Sequence, residues 1–245
     1  MIEALTIYQL MFTAASIIIA YVVRGITGFG SGLFAIPLLA LLLPLTIVVP
    51  MITLLDYIAS ISRSTQLRSD ILWHDLWPLL PFTLSGIIAG LYIINSIDAI
   101  ILQKSLGIFI ILYALNNVLS IKPKAIYSRM WAIPIGGFGG FFGAVFGTGG
   151  GAFYVIYLML RGLKKIQYQA MISCIFVIDG GVRLSGYLAL GFYNLNTLTP
   201  VAFGIPLMAI GMYIGSHIQM NIRIEIFNFT INTLLTIVGI ALLLK

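Results

Sequence analysis

A chain of 245 residues that is 60% hydrophobic and only 8% charged cannot cover a water-facing surface, because soluble domains carry about 25% charged residues. With a mean hydropathy of +1.10 it is an integral membrane protein and leaves no room for a soluble domain. The net charge of +6 is spread through short loops, which argues against a nucleic-acid partner; the single cysteine, Cys174, excludes an intramolecular disulfide, and two distant histidines, His74 and His217, argue against a metal site.

The chain begins "MIEALTIYQL", with no basic region, and reads as the start of a first membrane segment over 4–24 rather than a leader. After Arg24 comes "GITGFGSGLFAIPLLALLL", Gly25 to Leu43, a glycine-rich break that runs into a segment over 31–44. A third segment, 46–62, carries Asp56 at its middle and ends in Arg63. Segments over 76–95 and 99–120 follow. The polar stretch "IKPKAIYSRM", Ile121 to Met130, then divides the chain. Segments over 131–147 and 149–160 flank a second break, "FGTGGGA". The remaining segments are 166–188, which holds Asp179 and Arg183, then 198–217 and 224–244. Trp73, Trp77 and Trp131 are expected at the membrane interfaces. Cys174, Asn116 and Asn117 are expected to pack between helices.

The two halves match. Gly28, Gly30 and Gly32 align with Gly147, Gly149 and Gly151; Arg63 aligns with Arg183; "AGLYI" at 89–93 aligns with "IGMYI" at 210–214. The expected organisation is a first transmembrane repeat over 1–121 and a second over 122–245. Five segments per half is an odd number, so sequential copies point in opposite directions. With the Arg63/Arg68 loop in the cytoplasm, ten of the thirteen basic residues fall on that side, as the positive-inside rule requires. Both termini are then exterior, in a multi-pass protein of the plasma membrane.

Length explains the breaks. Segments 131–147 and 149–160 would reach only about 25 and 18 Å at ~1.5 Å per residue, short of a ~30 Å hydrocarbon core. Each glycine-rich stretch is therefore expected at the tip of a re-entrant hairpin, where broken backbone lines a cavity or is buried in protein. Glycine lets the chain turn there without a Cβ. The segments beginning at Ser31 and Gly149 would present unpaired N–H groups and a positive helix end to an anion. Thr27, Ser31 and Thr148 would add hydroxyls. Close helix packing is the competing explanation of the glycines. Nucleotide binding is disfavoured, since the Lys-Ser/Thr ending of a P-loop and its βαβ setting are missing.

Ionisable groups inside membrane segments are costly and face a cavity or a partner. Asp179 and Arg183 are four apart on one helical face; they form a structural pair or a functional one. Asp56 has no basic residue four away, and would bond to Ser, Thr or Asn of a neighbouring helix or serve function. Arg63 is either a cytoplasmic anchor or a gate. Arg24, Asp56, Arg63, Asp179 and Arg183 are the candidate gating or coupling residues, with Arg63 and Arg183 as an equivalent pair at opposite entrances.

The duplicated pattern of apolar helix, glycine-rich break ("GITGFGSG", "GTGGG") and apolar run resembles the sulfite exporter TauE/SafE family of permeases over nearly the whole chain. The resemblance carries the family's glycine motifs onto Gly28, Gly30 and Gly32, and onto Gly147, Gly149, Gly150 and Gly151. It departs from the family pattern where Phe29 and Ser31 interrupt the first glycine run and where Ile156 stands opposite Pro37. The fold expected is an all-α polytopic membrane protein of two inverted repeats. Each repeat holds a Gly-tipped re-entrant helix pair and three membrane-spanning helices. The expected function is export of sulfite, an organosulfonate or a related small sulfur-containing anion by alternating access. The alternative is a passive anion channel or a permease for other organic anions. Gly28, Gly30, Ser31, Gly32, Thr27, Gly147, Thr148, Gly149, Gly150 and Gly151 are the expected substrate contacts. Neither a catalytic set, a metal nor a cofactor is expected. Beyond substrate and bilayer, protons are a candidate coupling ion and a homodimer a candidate assembly.

Overall fold

The computed structural model describes residues 6–118, 128–147, 149–218 and 224–244. Among them the chain is helical, with no strand. The first half holds α1 (Ile7–Thr27), α2 (Ser31–Ala40), α3 (Leu45–Gln66), the short α4 (Trp73–Leu76), α5 (Leu80–Ser96) and α6 (Ala99–Val118). The second holds α7 (Ala132–Phe146), α8 (Gly149–Leu160), α9 (Lys165–Ala189), α10 (Leu195–Ile218) and α11 (Ile224–Leu244). Four stretches, Ile7–Thr27, Leu45–Gln66, Ile166–Ala189 and Thr197–His217, are long and apolar enough to cross a membrane.

Helix limits follow local chemistry. Thr6 caps α1 through a capping box with Gln9, satisfying two orphan donors. At its other end α1 runs one turn past the expected limit at Arg24 and stops at Gly28, whose φ is 85°. Arg24 does not end the helix because it is buried inside the protein rather than anchored in water. Helix α2 is shorter than its apolar run: it ends at Ala40, ahead of Pro44, which disfavours helical backbone in the residue before it. Helix α8 keeps the expected limits, Gly149–Leu160.

Lipid tails are as apolar as a leucine core, so helices in a membrane associate through close packing instead. Glycine provides it at several seams, two of which correspond between the halves. A Cβ at Gly86 or Gly90 of α5 would overlap the Gly137 or Phe141 carbonyl of α7. A Cβ at Gly211 or Gly215 of α10 would overlap the Ile18 or Val22 carbonyl of α1. The carbonyls 18 and 22 stand 119 residues before 137 and 141, the offset that also relates Gly28 to Gly147. In packing, then, Gly86 and Gly90 correspond to Gly211 and Gly215. That register differs by one turn from the alignment of "AGLYI" with "IGMYI", because the residues that touch the neighbouring helix set it. Helices α3 and α9 cross through the centre, where Gly180 and Gly181 leave room for the Tyr57 ring. Helices α6 and α11 pack on each other.

Candidate functional site

Both glycine breaks have the backbone that glycine alone adopts readily. Gly28 and Gly30 have φ of 85° and 91°, and Gly147 has 67°. Gly28 closes α1 by donating to the Arg24 carbonyl at 2.7 Å, and Gly30 precedes the first residue of α2. The tips lie against each other. A Cβ on Gly147 would run into Ile36 and Val49, and one on Gly151 would touch Phe176 and Phe29. Gly150 sits against the Gly139 carbonyl, which packs α7 tightly on α8. The structure therefore joins Gly28, Gly30, Ser31 and Gly32 to Gly147, Gly149, Gly150 and Gly151 in one region. Thr148 lies outside the described residues.

Beside each break is a buried arginine–aspartate pair. In the first, Arg24 Nη1 lies 2.9 Å from Asp56 Oδ1 and 3.0 Å from the Ser31 hydroxyl. Its Nη2 donates to the Asp56 carbonyl at 3.3 Å and to the Ser60 hydroxyl at 2.5 Å. Asp56 Oδ1 also accepts from Tyr21 at 2.7 Å and from Ser31 at 2.6 Å. The negative group at the N-terminus of α2 is thus the protein's own carboxylate, stabilised by helix dipole and guanidinium together. Ser31 is fully buried and engaged with both partners. The Thr27 hydroxyl is engaged with the Val23 and Phe29 carbonyls, so it shapes the turn.

In the second pair, Arg183 Nη2 meets Asp179 Oδ2, and Asp179 Oδ1 accepts from Tyr154 at 2.9 Å. Arg183 Nη1 donates to the Gly143 carbonyl at 2.9 Å, with the Gly147 carbonyl and Thr53 hydroxyl each at 3.4 Å. Asp179 is 1% and Arg183 4% exposed. Charges so deep are tolerated because each is paired and the pairs are neutral.

The clusters reach across to each other. Thr53, three residues before Asp56, accepts from Arg183. Phe176, three residues before Asp179, lies under the Arg24 guanidinium, 5.3 Å from its centre. Each of the crossing helices α3 and α9 thus serves both pairs.

Arg63 is elsewhere: it is exposed and donates to Gln169 at 3.1 Å. Arg63 and Arg183 therefore have unlike surroundings, one at the end of α3 and one at the second break. The sequence reading did not name Tyr21, Ser60, Thr53, Gly143 or Tyr154 as site residues. One faint signal existed, since Tyr21 lies one turn before Arg24, and Ser60 one turn after Asp56, on the same helical face. It also missed a knot outside the site. Asp75 Oδ1 pairs with Arg129 at 3.0 Å and Arg161 at 2.9 Å, while its carbonyl accepts from Tyr157 at 2.7 Å. Arg129 precedes α7 and Arg161 follows α8, so both ends of that helix pair come together on one carboxylate.

Two converging glycine breaks with buried cations beside helix N-termini can hold a small anion. Among the described residues no group of His, Cys, Asp and Glu could hold a metal ion. No curated protein matches the chain, and no solved structure does. The family model described as "Sulfite exporter TauE/SafE" matches residues 13–242. That match takes in both breaks and both ion pairs, and the chain belongs to the sulfite exporter TauE/SafE family of membrane transport proteins.

Proposed function

We propose that this protein exports a small sulfur-containing anion, sulfite or an organosulfonate, across the plasma membrane by alternating access. The observation that carries the reading is the buried Arg–Asp pair at each of the two glycine breaks. A transporter of anions needs fixed cations in a dry interior, and a carboxylate partner keeps each one neutralised between substrates.

Inverted repeats are supported by the packing. Helix α1 packs on α10 as α7 packs on α5, and the self-paired contacts α3 with α9 and α6 with α11 lie between the halves. This is the pattern in which exchanging the halves leaves the neighbours unchanged. With α4 set aside as a short turn, each half has five principal helices, and an odd number inverts the second copy. The ends of α7 and α8 on Asp75 support a hairpin that enters and leaves on one side, the cytoplasmic one by the positive-inside rule.

Reconstitution in proteoliposomes tests the function. Saturable sulfite or sulfonate flux without unitary currents is expected. Stepwise single-channel currents would instead identify a passive channel, and flux of carboxylates in preference to sulfur anions would identify a different organic-anion permease.

A further inference from the structure

Arg24 and Arg183 are not chemically equivalent. Each terminal nitrogen of Arg24 has two acceptors: Asp56 Oδ1 and Ser31 for one, the Asp56 carbonyl and Ser60 for the other. The Phe176 ring covers its face. Arg183 differs. Its Nη1 faces backbone carbonyls and its Nη2 faces Asp179, but its buried Nε has no partner among the described residues. Nε and Nη2 form one edge of the guanidinium, the edge that grips two oxygens of an oxyanion at once. Asp179 fills half of that edge. The other half is a buried donor left unmet, which costs free energy and calls for a partner.

The surroundings of the guanidinium suit an anion. A Cβ built on Gly143 would lie 3.6 Å from Gly150 Cα, 3.7 Å from Asp179 Oδ1 and 3.8 Å from Arg183 Cζ. The guanidinium, the carboxylate and the first turn of α8 therefore converge over one glycine. We propose that Arg183, and not Arg24, is the cation that grips the transported anion, at its Nε–Nη2 edge beside the second glycine break, and that Asp179 is the internal anion it displaces. This rests on the reading of the protein as an anion transporter. Two oxygens of a sulfite or sulfonate head take the guanidinium edge, and the third turns to the N–H groups opening α8. Displaced Asp179 keeps the Tyr154 hydroxyl as its partner. Arg24 and Asp56 stay paired and hold α1, α2 and α3 together.

Calorimetric titration of the purified full-length protein with sulfite, methanesulfonate and acetate tests this. Arg183→Lys keeps the charge but loses the two-donor edge, and weakens binding by about tenfold or more. Asp179→Asn removes the competitor and tightens binding by about tenfold. Gly143→Ala meets only ordinary contacts, so it folds, and its methyl group crowds the Arg183 guanidinium against the first turn of α8 and weakens binding. Arg24→Lys lowers the melting temperature and changes affinity less than Arg183→Lys. Asp179→Asn that weakens binding or leaves it unchanged, or Arg24→Lys that costs as much affinity as Arg183→Lys, overturns the assignment. A wild-type protein that prefers acetate yet follows the same variant pattern keeps Arg183 in its role and overturns the sulfur-anion reading. A wild-type protein that binds none of the three overturns both.

Discussion

The Arg183 guanidinium donates to the carbonyl of Gly143 at 2.9 Å, and Gly143 stands four residues before Gly147, as Arg24 stands four before Gly28. A guanidinium therefore lies one turn before each glycine break. In the first half it belongs to the broken helix itself. In the second it is delivered by α9, across the crossing with α3, and a glycine makes way for it. The same position is filled by two different routes, and the second leaves a fully buried donor, the Arg183 Nε, without a partner among the described residues.

The first pair is expected to behave as a structural unit. Arg24→Gln leaves the half-buried Asp56 carboxylate beside two hydroxyls with no cation, at a cost of up to about 3 kcal/mol. Arg24→Gln with Asp56→Asn removes both charges and costs less than Arg24→Gln alone. Thermal unfolding in detergent reads the difference. A double variant less stable than either single one would contradict a neutralising role.

Glycine substitutions on α7 separate packing from propensity. Gly140 faces the Thr83 carbonyl so closely that a Cβ overlaps it, and Gly140→Ala costs about 1–3 kcal/mol from overpacking. Gly137 has nothing within 4 Å of a built Cβ, so Gly137→Ala stabilises by about 0.5–1 kcal/mol through helix propensity. Equal melting shifts for the two would rule out the α5–α7 seam as described.

The Asp75 knot is expected to be unequal. The Arg129 side chain is 44% exposed and that of Arg161 16%, and solvent screens the more exposed pair. In double-mutant cycles of thermal stability, coupling of Asp75 with Arg161 therefore exceeds coupling with Arg129, which falls within about 0–1 kcal/mol. Larger coupling to Arg129 would show that exposure does not rank these pairs.

Much of this architecture was legible because it is local. The breaks at Gly28–Gly30 and at Gly147 follow from short apolar runs around glycines, and α8 has the limits its composition implied. The Asp179–Arg183 pair follows from a spacing of four. The pairing of Arg24 with Asp56 was not legible, because the two stand 32 positions apart with the whole of α2 between them and only the tertiary fold brings α1 onto α3. The knot at Asp75 was hidden for the same reason, since its arginines come from the other half. The alignment of Arg63 with Arg183 matches residue types; burial separates them, because α3 ends at an exposed edge where Arg63 finds Gln169.

Alternating access by a single anion-gripping arginine is tested most directly by counterflow. Proteoliposomes loaded with a high concentration of unlabelled sulfite are diluted into a trace of labelled sulfite, with wild-type protein and with Arg183→Lys. A carrier must reorient with its substrate, so the label should accumulate transiently above its equilibrium level with wild-type protein and much more weakly with Arg183→Lys. Label that only equilibrates with wild-type protein would contradict alternating access, and equal overshoot from both proteins would contradict the role given to Arg183.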